Sequence, residues 1–257
     1  MRYLILSDLH SGLEALESCL ALARGKYDAV VCLGDIVGYG PDPAPVIDRI
    51  RQLKPAVIRG NHDKACCGIT DADDFNDWAR IATYWTRASL SDDRLAFLRD
   101  LPQGPARVGE FDIVHGSADD EDQYIMNSGQ ADPLLKEQDR WIVFFGHTHL
   151  QGGFSLDSKG ASRCIPMIGA APLTRNDGSP DGSALTLQLV KGSRYLVNPG
   201  SVGQPRDGDW RSAFAIFDDG ARRVKFYRTA YDLAATQEKM TKAGLPPPLI
   251  RRLEHGR

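Results

Sequence analysis

The chain has 257 residues, 42% of them apolar and 25% charged, with a formal net charge of −3. That length buries a substantial core without disulfide or metal staples, and the near-neutral charge excludes the broad basic face of a nucleic-acid binder. No apolar segment reaches the length of a membrane span.

Arg2 to Ser7 reads as a buried strand, apolar and bounded by polar residues. Leu13, Leu16, Leu20 and Ala23 then recur at helical spacing, and Ala29 to Leu33 is a second strand. Val46, Ile47, Ile50 and Leu53 mark a helix introduced by the Pro41–Pro45 turn, and Ala56 to Arg59 is a short third strand. This β-α-β-α-β order predicts a parallel sheet covered by helices. Residues 64–104 read as mainly helical, with Phe75, Trp78, Ile81, Trp85, Leu95, Phe97 and Leu98 as apolar anchors. Phe111 to Val114 and Trp141 to Phe145 are two more buried strands. From 150 onward, Gly-rich turns separate short strands near 151–156, 184–190, 194–197, 212–218 and 222–229, which suggests a second, largely antiparallel sheet. Residues 157–183, rich in Gly, Ser and Pro, are an insertion with no assigned place. Residues 231–257 form a helical tail interrupted by Pro246-Pro247-Pro248. No linker is visible, so one domain is expected over 1–257.

Five cysteines, two of them adjacent and none in a CxxC pair, argue against a disulfide framework or a zinc knuckle. With no signal-peptide pattern at the N-terminus, the expected location is the cytoplasm.

The polar residues sit in an informative place. Asp8-Leu9-His10 follows the first strand, Gly34-Asp35 the second, and Gly60-Asn61-His62-Asp63 the third. His115-Gly116 and Gly146-His147-Thr148-His149 each follow a later strand. In an open α/β sheet the ligand site lies at the carboxyl ends of the strands, so five strand ends point metal-type side chains at one place. Two adjacent cations need a bridging ligand, and the Asp35 carboxylate is the candidate. Mixed imidazole and carboxylate donors suit manganese, iron, zinc, nickel or cobalt. Two such ions roughly 3.5–4 Å apart polarise a phosphate ester and generate hydroxide near neutral pH.

Together the motifs DLH, GDIVGYG, GNHD, HGS and GHTH resemble the calcineurin-like metallophosphoesterase superfamily, over residues 1 to about 217. The stretch from Asn198 to Arg206, NPGSVGQPR, is similar to the small bacterial phosphodiesterase branch. The resemblance implies a four-layer αββα sandwich of two mixed sheets flanked by helices. It implies one divalent metal ion on Asp8, His10, Asp35 and His149, and a second on Asp35, Asn61, His115 and His147. His62 is then the acid that protonates the leaving oxygen, and Asp63 caps or braces its turn. Where the serine/threonine protein phosphatase branch has Asp-Arg, this sequence has Gly38-Tyr39. Arg206 is a compensating phosphate clamp or a surface ion pair with Asp207 or Asp209; Arg59 is the other clamp candidate. Tyr39 is a substrate contact or a packing residue.

Phe75, Trp78, Tyr84 and Trp85 read as a helix core face, or as a lid wall that stacks on a nucleobase. The run Asp119-Asp120-Glu121-Asp122 reads as a solvated helix start, and Arg251, Arg252 and Arg257 as a solvated basic face. The function expected is two-metal phosphoesterase, in first place a phosphodiesterase of a small ester such as a nucleotide, attacked by a metal-activated hydroxide. The alternatives are a phosphomonoesterase or protein phosphatase, a metal-binding sensor, and a non-catalytic interaction scaffold. The partner expected is a small phosphate ester, with no membrane and no long nucleic acid; a homo-oligomer is left open.

Overall fold

A computed structural model describes residues 1–165 and 185–257. The chain opens with β1 (Arg2–Leu6), α1 (Leu13–Ala23), β2 (Ala29–Cys32), α2 (Pro43–Leu53) and β3 (Ala56–Val57). A helical stretch follows: α3 (Asn61–Cys66), α4 (Asp77–Ser89) and α5 (Asp92–Arg99). Next come β4 (Ala106–Val108), β5 (Phe111–Ile113), α6 (Ser128–Glu137), β6 (Ile142–Phe144), β7 (Gly152–Leu156) and β8 (Ser162–Ile165). After the undescribed segment run β9 (Leu185–Gln188), β10 (Arg194–Asn198), β11 (Ser212–Asp218), β12 (Arg223–Thr229), α7 (Leu233–Lys242), α8 (Pro247–Arg252) and a 3-10 turn (Leu253–His255).

Two six-stranded mixed sheets result, ordered β3-β2-β1-β11-β12-β9 and β4-β5-β6-β10-β7-β8. The parallel β1-β2-β3 unit forms as its sequence order predicts. The later strands do not make a sheet of their own. β11 joins antiparallel to β1, with Leu4 opposite Ile216, while β10 runs parallel to β6. Each C-terminal group thus extends one N-terminal sheet, because β1 and β6 each offered an unpaired edge that a separate sheet would have left exposed.

Period-2 alternation assigns the layers. Tyr3, Ile5, Val31 and Leu33 point inward with Ala215 and Phe217, meeting Phe111, Ile113, Phe144 and Val197 of the second sheet. Leu4, Leu6, Cys32 and Phe214 point outward, under Leu16 and Leu20 of α1 and Val46, Ile47 and Ile50 of α2. On the far side Val143, Phe145, Phe154 and Leu196 receive Ala131 and Leu135 of α6. The order of layers is helix, sheet, sheet, helix, as the resemblance implies.

Other expectations need correction. Trp78, Ile81 and Tyr84 are exposed, so they do not anchor α4; its buried face is Ala79, Ala82, Thr83 and Thr86. Large aromatics there would hold the helix too far out, whereas small residues let it lie against Tyr39 and the α7–α8 tail. The acidic run 119–122 starts no helix; α6 begins at Ser128, capped by Asn127. Of the insertion, residues 157–165 close a hairpin in which Leu156 pairs with Ser162, and the remainder lies outside the described residues. Among the described residues no helix is long and apolar enough to cross a membrane.

Candidate functional site

The carboxyl ends of β1, β2, β3, β5 and β6 converge across both sheets. Asp8, His10, Asp35 and His149 bring one donor atom each within 4.8 Å of one another, and Asp35, His115 and His147 do the same. Asp35 belongs to both groups. Asn61, first residue of α3, places its Oδ1 3.2 Å from His115 Nε2, which extends the second group. All seven side chains predicted from sequence are buried together.

The backbone is bent to aim them. Asp8, His10, Asp35, His147 and His149 all have φ between 44° and 64°, as do Ser11 and Tyr39. Left-handed conformations are costly for residues with a Cβ and gather at functional sites, held by surrounding structure. Here the holding groups are the β1 and β2 loops themselves: Asp8 N–H donates to Gly34 O, His10 N–H to Asp35 O and Ser11 N–H to Ile36 O.

The imidazole orientations are set from behind. His10 Nδ1 faces Val37 O at 3.1 Å, His115 Nδ1 faces Leu33 O at 2.8 Å, and His149 Nδ1 faces Gln204 O at 2.6 Å. A carbonyl only accepts, so each Nδ1 carries the hydrogen and each Nε2 turns a lone pair inward. His147 is reversed: its Nε2 faces Asp122 O at 3.0 Å and its Nδ1 is left for the cluster. Converging lone pairs beside two buried carboxylates fit divalent cations, which would relieve a repulsion the protein otherwise leaves in place.

The electrostatics agree. Burial pushes Asp8 up to about 6, with the Asp35 charge adding to it. For Asp35 burial opposes ionisation, but the neighbouring His115 and His62 outweigh it and hold the carboxyl well below its usual range. Burial also opposes a charge on His115, yet Asp35 lifts it to about 10. Burial drives His10 and His149 well down and His147 down to about 3. The centre therefore favours positive charge beside Asp35, supplied by a proton on His115 Nε2 unless a cation takes its place, while His10, His147 and His149 stay neutral and able to ligate.

His62 lies beside this centre. Its backbone N–H donates to Asp35 Oδ1 at 2.9 Å, and its ring packs on Tyr39, Phe75 and His10 at centroid distances of 4.3, 4.6 and 4.9 Å. Burial lowers it to about 4. Its Nδ1 is buried with no partner and aims at Gly38, where a Cβ would come within 2.6 Å. Position 38 must be glycine for this ring to fit, and its φ of 95° asks for glycine as well. Asp63 braces the turn as expected, accepting from Gly60 N–H at 3.0 Å and Val37 N–H at 3.1 Å.

Of the two clamp candidates, Arg59 is committed elsewhere, to Glu121 and Gln103. Arg206 is not in a surface ion pair: Asp207 pairs with Arg228 and Asp209 with Arg211. Arg206 instead reaches Gln204 Oε1 at 2.9 Å and the Tyr39 hydroxyl at 3.4 Å, with its carbon 5.7 Å from the Tyr39 ring centre. Arg252 is not part of a solvated face. It is half-buried, 6.0 Å from the same ring centre, and Arg251 and Arg257 alone are exposed. The acidic run has structural work as well, since Glu121 and Asp122 tie Lys64 and Glu121 ties Arg59.

Supports invisible in the sequence lie behind the site. Ser201 Oγ donates to Asp8 O, and Asn198 donates to Gly146 O and Thr148 Oγ1. The fully buried Arg228 pairs with Asp207 and bonds Gln151, whose amide donates to three backbone carbonyls. Tyr124 covers His147 with ring centres 4.0 Å apart. Only Asn198 and Ser201 among them fall within a stretch the sequence singles out, NPGSVGQPR.

Comparison with known proteins agrees with this geometry. A sequence profile of calcineurin-like phosphoesterases matches residues 1–178. A metallophosphoesterase crystal structure from Sphaerobacter thermophilus is 40% identical, with a TM-score of 0.81, covering 100% of this chain and 99% of that one. An uncharacterized protein of Methanocaldococcus jannaschii is 31% identical over 98% of this chain and 97% of its own. A hypothetical protein of Pyrococcus horikoshii shares the fold, with a TM-score of 0.76 at 20% identity over 100% and 98% of the chains. With the profile match, the relatives and the buried Asp and His clusters in agreement, the chain belongs to the calcineurin-like phosphoesterases, metal-dependent hydrolases of phosphoric esters.

Proposed function

We propose that the protein is a two-metal phosphodiesterase acting on a small ester. The observation that carries this reading is that two donor groups share Asp35 and lie directly beside His62. One ion would be held by Asp8, His10, Asp35 and His149, the other by Asp35, Asn61, His115 and His147. When bound, such a pair polarises the phosphoryl group and supplies a nucleophile from water at neutral pH. The identity of the ions is left among manganese, iron, zinc, nickel and cobalt.

The chain's own residues then have distinct tasks. Asn61 and Arg206 orient the phosphoryl oxygens, Arg206 through a guanidinium with no carboxylate partner among the described residues. Tyr39 walls the site and is held by packing against His10 and His62. His62 gives its proton to the departing oxygen; an anionic phosphoryl group beside the ring raises its affinity for that proton above the low value burial sets. The preference for diesters is supported by Gly38-Tyr39, which provides neither an acidic partner for His62 nor the adjacent arginine of the protein phosphatases. Five free thiols, four of them buried, suit a reducing compartment such as the cytoplasm.

The test is turnover of paired chromogenic mono- and diesters by metal-stripped protein reloaded with manganese. Diester turnover that requires metal and falls at least about a hundredfold in His62→Ala supports the reading. Monoester preference would replace the diester assignment. Two bound ions with no turnover of either ester, or of a wider ester panel, would favour a sensor or scaffold. Asp35→Asn should lose both activity and metal; activity with full metal content would remove Asp35 as the bridge.

A further inference from the structure

A cavity of about 350 Å³ opens beside the two clusters, against Asn61, His62 and His147. Its other walls are chemically unlike the metal centre. Phe75 flanks His62 at 4.6 Å between ring centres, and Tyr124 flanks His147 at 4.0 Å. Neither ring is consumed by the core: Phe75 is half-buried and Tyr124 is 44% exposed. The rim carries Asp71 and Asp74, which have no ion-pair partner among the described residues, and its lysine, Lys64, is already neutralised by Glu121 and Asp122. No arginine lines the cavity; the Arg206 guanidinium is engaged with Gln204 Oε1 and with the hydroxyl of Tyr39, itself a wall residue.

We propose that this cavity receives the leaving alcohol of the substrate, and that this alcohol bears an uncharged aromatic ring, as a nucleoside does, and no further phosphate. The inference rests on the phosphodiesterase reading above and adds the orientation and class of its substrate. In an in-line displacement the water oxygen bonds to phosphorus as the bond from phosphorus to the leaving oxygen breaks. The departing oxygen takes the proton of His62, and the proton shed by the water goes to solvent. The leaving side of the phosphorus is therefore the His62 side, and the space on that side is this cavity. Its aromatic walls reward a planar ring, since stacking on such side chains does not depend on ring identity. Its unpaired carboxylates repel any second phosphate at close range.

Adenosine 5′-methyl phosphate separates the two orientations by its products. The manganese-loaded enzyme should release adenosine and methyl phosphate about tenfold over adenosine monophosphate and methanol; the reverse product ratio overturns the proposal. The preference in kcat/KM for this diester over ribose 5′-methyl phosphate should shrink at least fivefold in Tyr124→Ala, an exposed position that does not threaten folding, and likewise in Phe75→Leu. An unchanged preference in both overturns it. A 3′-phosphate on the adenosine should slow wild type at least tenfold, with Asp71→Asn/Asp74→Asn recovering part of the loss; equal rates on both esters overturn the charge argument. If no diester is turned over, the phosphodiesterase reading fails separately. Calorimetry with adenosine alone then decides the cavity: binding lost in Tyr124→Ala supports it, and no binding to wild type overturns it.

Discussion

His10 Nε2 and His149 Nε2 face each other at 3.1 Å, while each ring's Nδ1 is turned to a backbone carbonyl. Two lone pairs at that distance repel, and burial keeps both rings from protonating to relieve it. A shared cation would resolve the conflict, and binding it would then stabilise the fold. At ion concentrations near a hundred times Kd the gain is about 3 kcal/mol, which for a chain of this size corresponds to roughly 5–10 °C in Tm. Calorimetry before and after chelation should show that loss, reversed by manganese. An identical Tm for the stripped and loaded protein would mean that the cluster is not a cation site.

Gly38 offers a sharper test of His62. A methyl group there meets the imidazole at 2.6 Å and forces a φ of 95° on a residue with a Cβ. Gly38→Ala should displace His62 without touching any proposed metal ligand. Metal content should stay at the wild-type stoichiometry while kcat falls by about tenfold or more, since a displacement near 1 Å at a reacting group has that scale of effect. Loss of metal in parallel with kcat would show that the loop, not His62, had been damaged.

How far the sequence foretold this centre depends on which residues are considered. Asp8, Asp35, Asn61, His115 and His147 were legible because each follows a predicted strand at once, and parallel strands end on one side. Most helix and strand identities were legible from periodicity, but the short β4 and β8 and the helix α6 were not. Partner choice was not: alternation shows that 212–218 and 194–198 are strands, but not that the first joins β1 and the second β6. Alternation also does not say which aromatic faces the core, and α4 used Ala79 and Ala82 where Trp78 and Ile81 were expected. Tyr124 escaped notice, and Arg252 read as part of a solvated basic face, because their roles come from contacts with His147 and Tyr39, far away in the chain.

The pair Arg228–Asp207 is a second case of long-range support. Both side chains are almost fully enclosed, and Gln151 links them to the loop that carries His149. Arg228→Met removes one charge and leaves the other buried without a counterion, which costs ~3–5 kcal/mol. Thermal unfolding should show a loss of about 10 °C. Arg228→Met/Asp207→Leu, which removes both charges, should recover most of it. A single variant as stable as wild type would mean that Asp207 finds water or another partner.

Arg206 and Arg252 come from different elements and approach the Tyr39 ring at 5.7 and 6.0 Å; Arg206 has no carboxylate partner among the described residues, and Arg252 donates through Nε to Arg257 O. Like charges held that close favour an anion between or beside them, and Tyr39 links them to His62. The two should nevertheless differ. Arg206 shares a turn with Gln204, the acceptor of the His149 ring, so Arg206→Ala should lower kcat as well as raise KM. Arg252 lies on the C-terminal helix and touches none of the clustered donors, so Arg252→Ala should raise KM about five- to tenfold with kcat within twofold, a loss of about 1–1.4 kcal/mol of charge attraction that acts before and during the reaction alike. Steady-state kinetics on one diester at low and high salt checks this, since the KM difference should shrink as salt screens the exposed part of that attraction. A kcat effect in Arg252→Ala equal to that in Arg206→Ala would place both guanidiniums on the reacting phosphoryl group.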